Sequence, residues 1–147
     1  MDPAEITIQL KSKPELVCIV RSAAETAALA CKMDPKAAGQ VKLAVTEALA
    51  NVMNHGYKGA VDGPIWVKLT IEEKDNRCGL HIQIEDECQG VDLSKIKSRP
   101  LDEVRPGGLG VHIMQQIMDT VEYQQRPAGR GICLRMSKYT EAPEQTD

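Results

Sequence analysis

Four polar side chains recur at helical spacing in the stretch Val41 to Tyr57, VKLAVTEALANVMNHGY. Glu47, Asn51, Asn54 and His55 stand at i, i+4, i+7 and i+8, so a helix brings them to one face. A carboxylate there can act as a general base. An amide oxygen one turn later can ligate Mg²⁺, which takes few protein ligands beside waters and phosphate oxygens. Taken alone, such a stripe is more commonly the solvated face of an amphipathic helix, and His55 equally suits a helix C-terminus. Asp86 closes an alternating run and opens Asp86-Glu87-Cys88-Gln89-Gly90-Val91-Asp92. A buried carboxylate at a strand end accepts a hydrogen bond from an exocyclic amine such as adenine N6, and Gly90 lets the backbone bend around a base. The plain alternative is an acidic surface turn. Finally, Arg105-Pro106-Gly107-Gly108-Leu109-Gly110 runs into an apolar-periodic segment. Free N–H groups and the positive dipole end of a helix N-terminus attract phosphate, and glycines allow close approach. No GxxxxGK[ST] P-loop occurs, so the alternative here is an ordinary turn before a helix.

The elements that must position these groups follow from periodicity. Ile6, Ile8 and Leu10 alternate with Thr7 and Gln9, predicting a half-buried strand over Glu5 to Leu10. Pro14 opens a helical pattern over Glu15 to Met33, rich in alanine. Asp34-Pro35 reads as an N-cap followed by proline at the first helical position. The second helix then carries Glu47 and Asn51, backed by an apolar stripe of Val41, Val45, Ala48, Leu49 and Val52, and Gly56 is the expected C-cap. Ile65 to Glu73 and Cys78 to Glu85 alternate around Asp75-Asn76, an antiparallel hairpin. A charged segment broken by Pro100 and Pro106 precedes a third helix through Ile113, Met114, Ile117 and Met118. Two strands, Thr120 to Gln125 and Ile132 to Tyr139, flank a turn at Pro127 to Gly131. The expected fold is α+β: a two-layer sandwich with three helices on one face of a mostly antiparallel sheet. The other sheet face is more polar, left to solvent or a partner.

With 147 residues, 42% hydrophobic and 27% charged, the chain is expected to form one domain spanning 1–147. A net charge of -3 argues against binding nucleic acid through phosphate neutralisation, and one Trp, three Tyr and no Phe leave little for base stacking. No run approaches the ~20 apolar residues that span a membrane, and the acidic start is unlike a secretory signal. Five cysteines without CxxC spacing read as reduced thiols of a cytoplasmic protein, with no zinc site expected.

The combination is more specific than its parts. Glu47-x3-Asn51-x3-His55-Gly56-Tyr57, then Asp86-x3-Gly90, then Gly108-x-Gly110 opening a helix, resembles the GHKL ATPase superfamily with its Bergerat ATP-binding fold. Within it, the chain is most similar to bacterial anti-sigma-factor serine/threonine kinases of partner-switching systems, from about Ile6 to Tyr139. The resemblance implies ATP and Mg²⁺ as cofactors. It implies Glu47 as the general base toward the incoming hydroxyl, Asn51 as the Mg²⁺ ligand, Asp86 as acceptor from the adenine amino group, and Gly90 as the glycine of that loop. Gly108 and Gly110 match the glycines that cradle the phosphates, and Arg105 a basic residue toward the terminal phosphate. Residues 93–107, with Lys95, Lys97, Arg99 and Arg105, match the ATP lid. The polar stretch 141–147 is expected, from its composition, to be a frayed tail.

The implied partners are a sigma factor held inactive and an anti-anti-sigma protein phosphorylated on Ser or Thr. A homodimer paired through the sheet edge or first helix is also expected, with no nucleic-acid or membrane partner. Two positions depart from the family pattern. Cys88 stands where the adenine loop usually has a glycine, and Ile132 follows Gly131 where a threonine often helps bind the base. They favour the rival reading, a non-catalytic nucleotide-binding module that sequesters a partner. A histidine-kinase catalytic domain fits less well, since no phosphoacceptor helix precedes the domain.

Overall fold

The computed structural model describes residues 2–89 and 108–140. The expected lid over 93–107, with Gly90, Arg105 and the tail, lies outside the described residues. The elements run β1 (Ala4–Lys11), a 3-10 turn (Pro14–Leu16), α1 (Val17–Ala30), α2 (Pro35–Asn51), a π turn (Val52–Gly56), β2 (Pro64–Lys74), β3 (Arg77–Asp86), α3 (Gly108–Ile117), β4 (Thr120–Gln125) and β5 (Ile132–Tyr139). The strands form one sheet in the order β1-β2-β3-β5-β4, every described pair antiparallel. This is the expected α+β sandwich.

Local chemistry accounts for the boundaries. Asp34 caps α2, its Oδ1 accepting from the Ala37 N–H at 2.7 Å, with Pro35 at the first helical position. Asp75 and Asn76 form the two-residue loop between Lys74 and Arg77, with φ of +56° and +63°. A primed hairpin turn needs both central residues left-handed, and Asp and Asn tolerate that better than most side chains.

The core lies between the sheet and the helices. Ile65, Val67 and Leu69 of β2, Leu80, Ile82 and Ile84 of β3, and Leu134 and Met136 of β5 are buried on the inner face. Against them lie Val20, Ala24, Ala27 and Ala28 of α1, Val41, Ala44, Val45, Ala48 and Leu49 of α2, and Met114 of α3. Small alanine side chains let α1 and α2 pack close together. On β1 the apolar alternation overstates burial. Leu10 is buried, but Ile6, beside Leu69 in the ladder, is 59% exposed, because this half of the edge strand extends past the helical layer.

The outer sheet face is polar. Lys68, Gln83, Arg135 and Glu122 form one row across it, and Thr70, His81, Ser137 and Thr120 another. Near the end of β3, the Arg126 guanidinium stacks 4.1 Å from the Trp66 ring centre and approaches Glu85 and Glu87 at 3.4 Å each. One side chain from the β4–β5 turn therefore holds both acids that flank Asp86.

Candidate functional site

Glu47 and Asn51 lie one turn apart near the end of α2, both half-buried, with Val41, Val45, Ala48 and Leu49 anchoring the opposite face in the core. The first turn of α3 meets them there. Gly110 is buried, and a methyl group in place of its hydrogen would lie 2.9 Å from Glu47 Oε2, 3.4 Å from Asn51 Nδ2 and 3.5 Å from Asn51 Oδ1. A larger residue there would push the Glu47 carboxylate aside. A carboxylate, an amide and a helix N-terminus beginning at Gly108 therefore converge, although Gly110 is separated from Asn51 in sequence by the β2–β3 hairpin and residues 87–107.

Beyond Asn51 the helix does not continue at 3.6 residues per turn. It widens into the π turn, closed by the Tyr57 N–H on the Val52 carbonyl at 2.8 Å. Such turns often mark functional sites, and widening takes later residues off the regular helical stripe. Asn54 and His55 are both exposed. Gly56 is not the left-handed C-cap expected of it. The positive φ values fall on Lys58 (+53°) and Gly59 (+83°). Gly56 instead provides space: a methyl there would overlap the Cys88 Sγ.

The π turn is thus the seam between α2 and the loop after β3. Tyr57 fastens it, its hydroxyl donating to the Pro64 carbonyl at 2.6 Å and accepting from the Glu87 N–H at 2.8 Å. Burial pushes the Tyr57 hydroxyl up to about 12 despite the Glu87 N–H, so it stays a donor at neutral pH. In sequence, Tyr57 stands only as the last residue of the His55-Gly56-Tyr57 run, with nothing to mark it as a tether. Tyr57→Phe removes both bonds and strands the Glu87 N–H. We expect it to lower unfolding free energy by about 1–3 kcal/mol, read from urea midpoints, with an unchanged midpoint counting against the tether.

Asp86 is 4% exposed at the end of β3. Its Oδ1 accepts two backbone hydrogen bonds, from Cys88 N–H at 2.9 Å and Ile132 N–H at 3.1 Å. Oδ2 receives neither. Gly131, at φ +114°, brings the start of β5 so close that any Cβ would overlap the Asp86 carbonyl. The two departures from the family pattern are therefore the two residues whose backbone holds Asp86. Cys88 is 5% exposed, its thiol set between Gly56 and the Asp86 carboxylate. Burial first, then the Asp86 charge, pushes it up to about 12, so the thiol stays neutral beside the acid. Ile132 lacks a side-chain hydroxyl but supplies its N–H.

Of the seven candidate positions, the structure joins Glu47, Asn51 and Gly110 directly and places Gly108 at the start of the same helix. Asp86 is not in that contact; its loop meets the π turn that follows Asn51, where Cys88 lies against Gly56. Gly90 and Arg105 lie outside the described residues. No described helix is long and apolar enough to cross a membrane.

Comparison with known proteins agrees with this fold. Residues 10–138 match the histidine kinase-like ATPase domain family. The chain is 32% identical to the serine-protein kinase RsbW of Listeria monocytogenes, over 92% of this chain and 87% of that protein. It is 29% identical to RsbW of Oceanobacillus iheyensis, over 97% and 90%. It is 33% identical to an anti-sigma F factor of a Thermoanaerobacter species, over 77% and 79%. Among solved structures, that of the RsbU and RsbW domains of a Mycobacterium tuberculosis protein superposes with a TM-score of 0.59 at 14% identity. It covers all of this chain and 35% of that one, a likeness of fold alone. A Bergerat-type ATPase is the class that the fold and the family match define. The chain belongs to the histidine kinase-like ATPase family and, within it, to the anti-sigma kinases. It is an ATP-using serine/threonine protein kinase.

Proposed function

We propose that this kinase is a cytoplasmic anti-sigma factor that binds a sigma factor and phosphorylates an anti-anti-sigma protein on Ser or Thr, with Mg²⁺ and ATP. The observation that carries the reading is the convergence of Glu47 and Asn51 on Gly110 at the start of α3. That arrangement sets a proton acceptor and a neutral oxygen donor beside a helix N-terminus suited to phosphate.

In this reading Asp86 binds the adenine amino group through Oδ2, held in place by its two backbone donors. Gly90 completes the adenine loop, Gly108 and Gly110 admit the phosphates to the backbone, and Arg105 reaches the terminal phosphate. Asn51 fits Mg²⁺ chemically, since one hard amide oxygen beside a phosphate site is what an ion that keeps most of its waters needs. Bound there, the ion would supply positive charge to the phosphate oxygens. Glu47 takes the proton from the partner's hydroxyl. The names of the RsbW and anti-sigma F relatives support the choice of partners. Ile6 and Ile19, 59% and 58% exposed beside the unpaired edge of β1, support a homodimer through that edge.

The test combines the chain with ATP labelled on its terminal phosphate, Mg²⁺ and an anti-anti-sigma partner, while light scattering reads the mass of the kinase. Label on a Ser or Thr of the partner, from a kinase of two-chain mass, is the expected result. Bound nucleotide without transfer counts against the kinase–partner assignment, and a one-chain mass against the dimer.

A further inference from the structure

Two thiols far from the nucleotide site are in contact. Cys31 caps the end of α1 and is fully buried. Cys78 is the second residue of β3 and is 5% exposed. Their Sγ atoms lie 2.7 Å apart, 47 positions apart in sequence, with the Cys31 thiol directed at the Cys78 sulfur. Nothing in the proposed phosphoryl transfer uses them. Cys78 and Asp86 occupy opposite ends of β3, roughly 26 Å apart at the usual strand rise.

Of the two, Cys78 borders a cavity and Cys31 does not. A cavity of about 490 Å³ has Cys78 in its lining, together with Lys32, Lys74 and Arg77, and with Glu73 and Asp75. Three cations against two acids leave its rim net positive. Lys32 is already paired with Glu73 at 3.5 Å. The Cys78 backbone is fixed on both sides, its N–H donating to Thr140 Oγ1 at 3.0 Å and its carbonyl accepting from Thr140 N–H at 2.8 Å.

We propose that Cys31 and Cys78 form a reversible dithiol–disulfide pair, oxidised by an anionic low-molecular-weight disulfide admitted through this cavity. Cys78 is the attacking sulfur because it lines the cavity, whereas Cys31 lies behind it. Burial, then the hydrogen bond to Cys78, pushes Cys31 up to about 12, in keeping with that order. Cys78 gives its proton to solvent and attacks one sulfur of the small disulfide. The small S–S bond breaks, a mixed disulfide forms, and the first small thiol leaves. Cys31 then attacks the Cys78 sulfur, and the second small thiol leaves with the Cys31 proton. Two protein thiols are oxidised and one small disulfide is reduced to two thiols. The new bond ties the end of α1 to the start of β3 and closes a loop containing all of α2 and β2. Its effect is on the cohesion of the fold, with the distant ATP site unaltered.

Glutathione disulfide is the probe, applied to the full chain carrying Cys18→Ser so that the exposed thiol on α1 does not compete. Peptide mapping after alkylation should find Cys31 linked to Cys78. The melting temperature should rise by about 8–16 °C, as a loop of this length predicts for a domain of this size, and dithiothreitol should reverse it. ATP affinity should change less than twofold. Cys31→Ser should stop at a glutathione adduct on Cys78; if that variant does not fold, the peptide map of the Cys18→Ser protein decides. Cystamine, a cationic disulfide, should react more slowly than glutathione disulfide at low salt. Absence of the linked peptide, or oxidation confined to Cys88 or Cys133, overturns the pair. Cystamine reacting as fast or faster overturns the role of the cavity.

Discussion

Glu47→Ala is expected to slow phosphoryl transfer by about 10²–10⁴-fold, the usual contribution of a positioned general base, while ATP still binds. The expectation rests on where the carboxylate is. Glu47 Oε2 lies against Gly110 in the first turn of α3, beside the proposed phosphate cradle, and its helix is anchored by Val45, Ala48 and Leu49 in the core. Removing the side chain takes away the proton acceptor without disturbing the anchors. It also removes a negative charge near the phosphates, so ATP affinity should hold or rise slightly. Glu47→Gln keeps the shape and loses the basicity, and should be nearly as slow. Single-turnover transfer measured beside calorimetry separates the two effects. Transfer within threefold of the parent protein in both variants would put the base elsewhere.

Asp86→Asn should weaken ATP binding by about 10- to 100-fold, the range for losing a hydrogen bond to a charged acceptor and leaving donors opposed. The geometry makes this substitution unusually clean. Oδ1 is engaged by two backbone donors, Cys88 N–H and Ile132 N–H, so an asparagine keeps its oxygen there and presents its NH₂ in place of Oδ2. A donor then faces the adenine amino donor. The fold should stay close to its original stability, because both backbone bonds survive. Guanine offers a carbonyl where adenine offers the amine, so the preference for ATP over GTP should narrow. Calorimetry with both nucleotides is the measurement. An ATP affinity within twofold of the parent would remove Asp86 from the base pocket.

The element order, the hairpin around Asp75-Asn76 and the Asp34-Pro35 helix start were legible from the sequence because each rests on a local rule: period two, a primed turn, a cap. The two last strands appear at the residues that alternation predicted. The π turn was hidden for a related reason. A stripe counted at 3.6 residues per turn assumes a regular helix, and nothing in Val52 to Gly56 announces a wider turn. The role of Gly56 was misread along with it, since a glycine after a helical run looks like a left-handed cap. The exposure of Ile6 was also hidden, because alternation identifies a face of the sheet and not how far the helices cover it.

Glu47 and Asn51 could be grouped by helical spacing alone, but their meeting with Gly110 is tertiary. It was foreseen only through resemblance of the whole motif series. The two backbone donors to Asp86 were beyond any reading of side-chain types. Cys88 and Ile132 looked like losses because their side chains differ from the family pattern. Their contribution lies in N–H groups that every residue but proline possesses.

Gly56, Gly110 and Gly131 mark three places where distant stretches touch with no room for a methyl group. At Gly131 the meeting is backbone against backbone, whereas at Gly56 and Gly110 the near atoms belong to the Cys88 and Glu47 side chains. This divides the site's mutational freedom unevenly. A side chain at position 131 would displace the main chain that carries Asp86, while one at position 56 or 110 asks a neighbouring side chain to move. Of the three glycines, Gly131 is therefore the one whose replacement reshapes the frame itself.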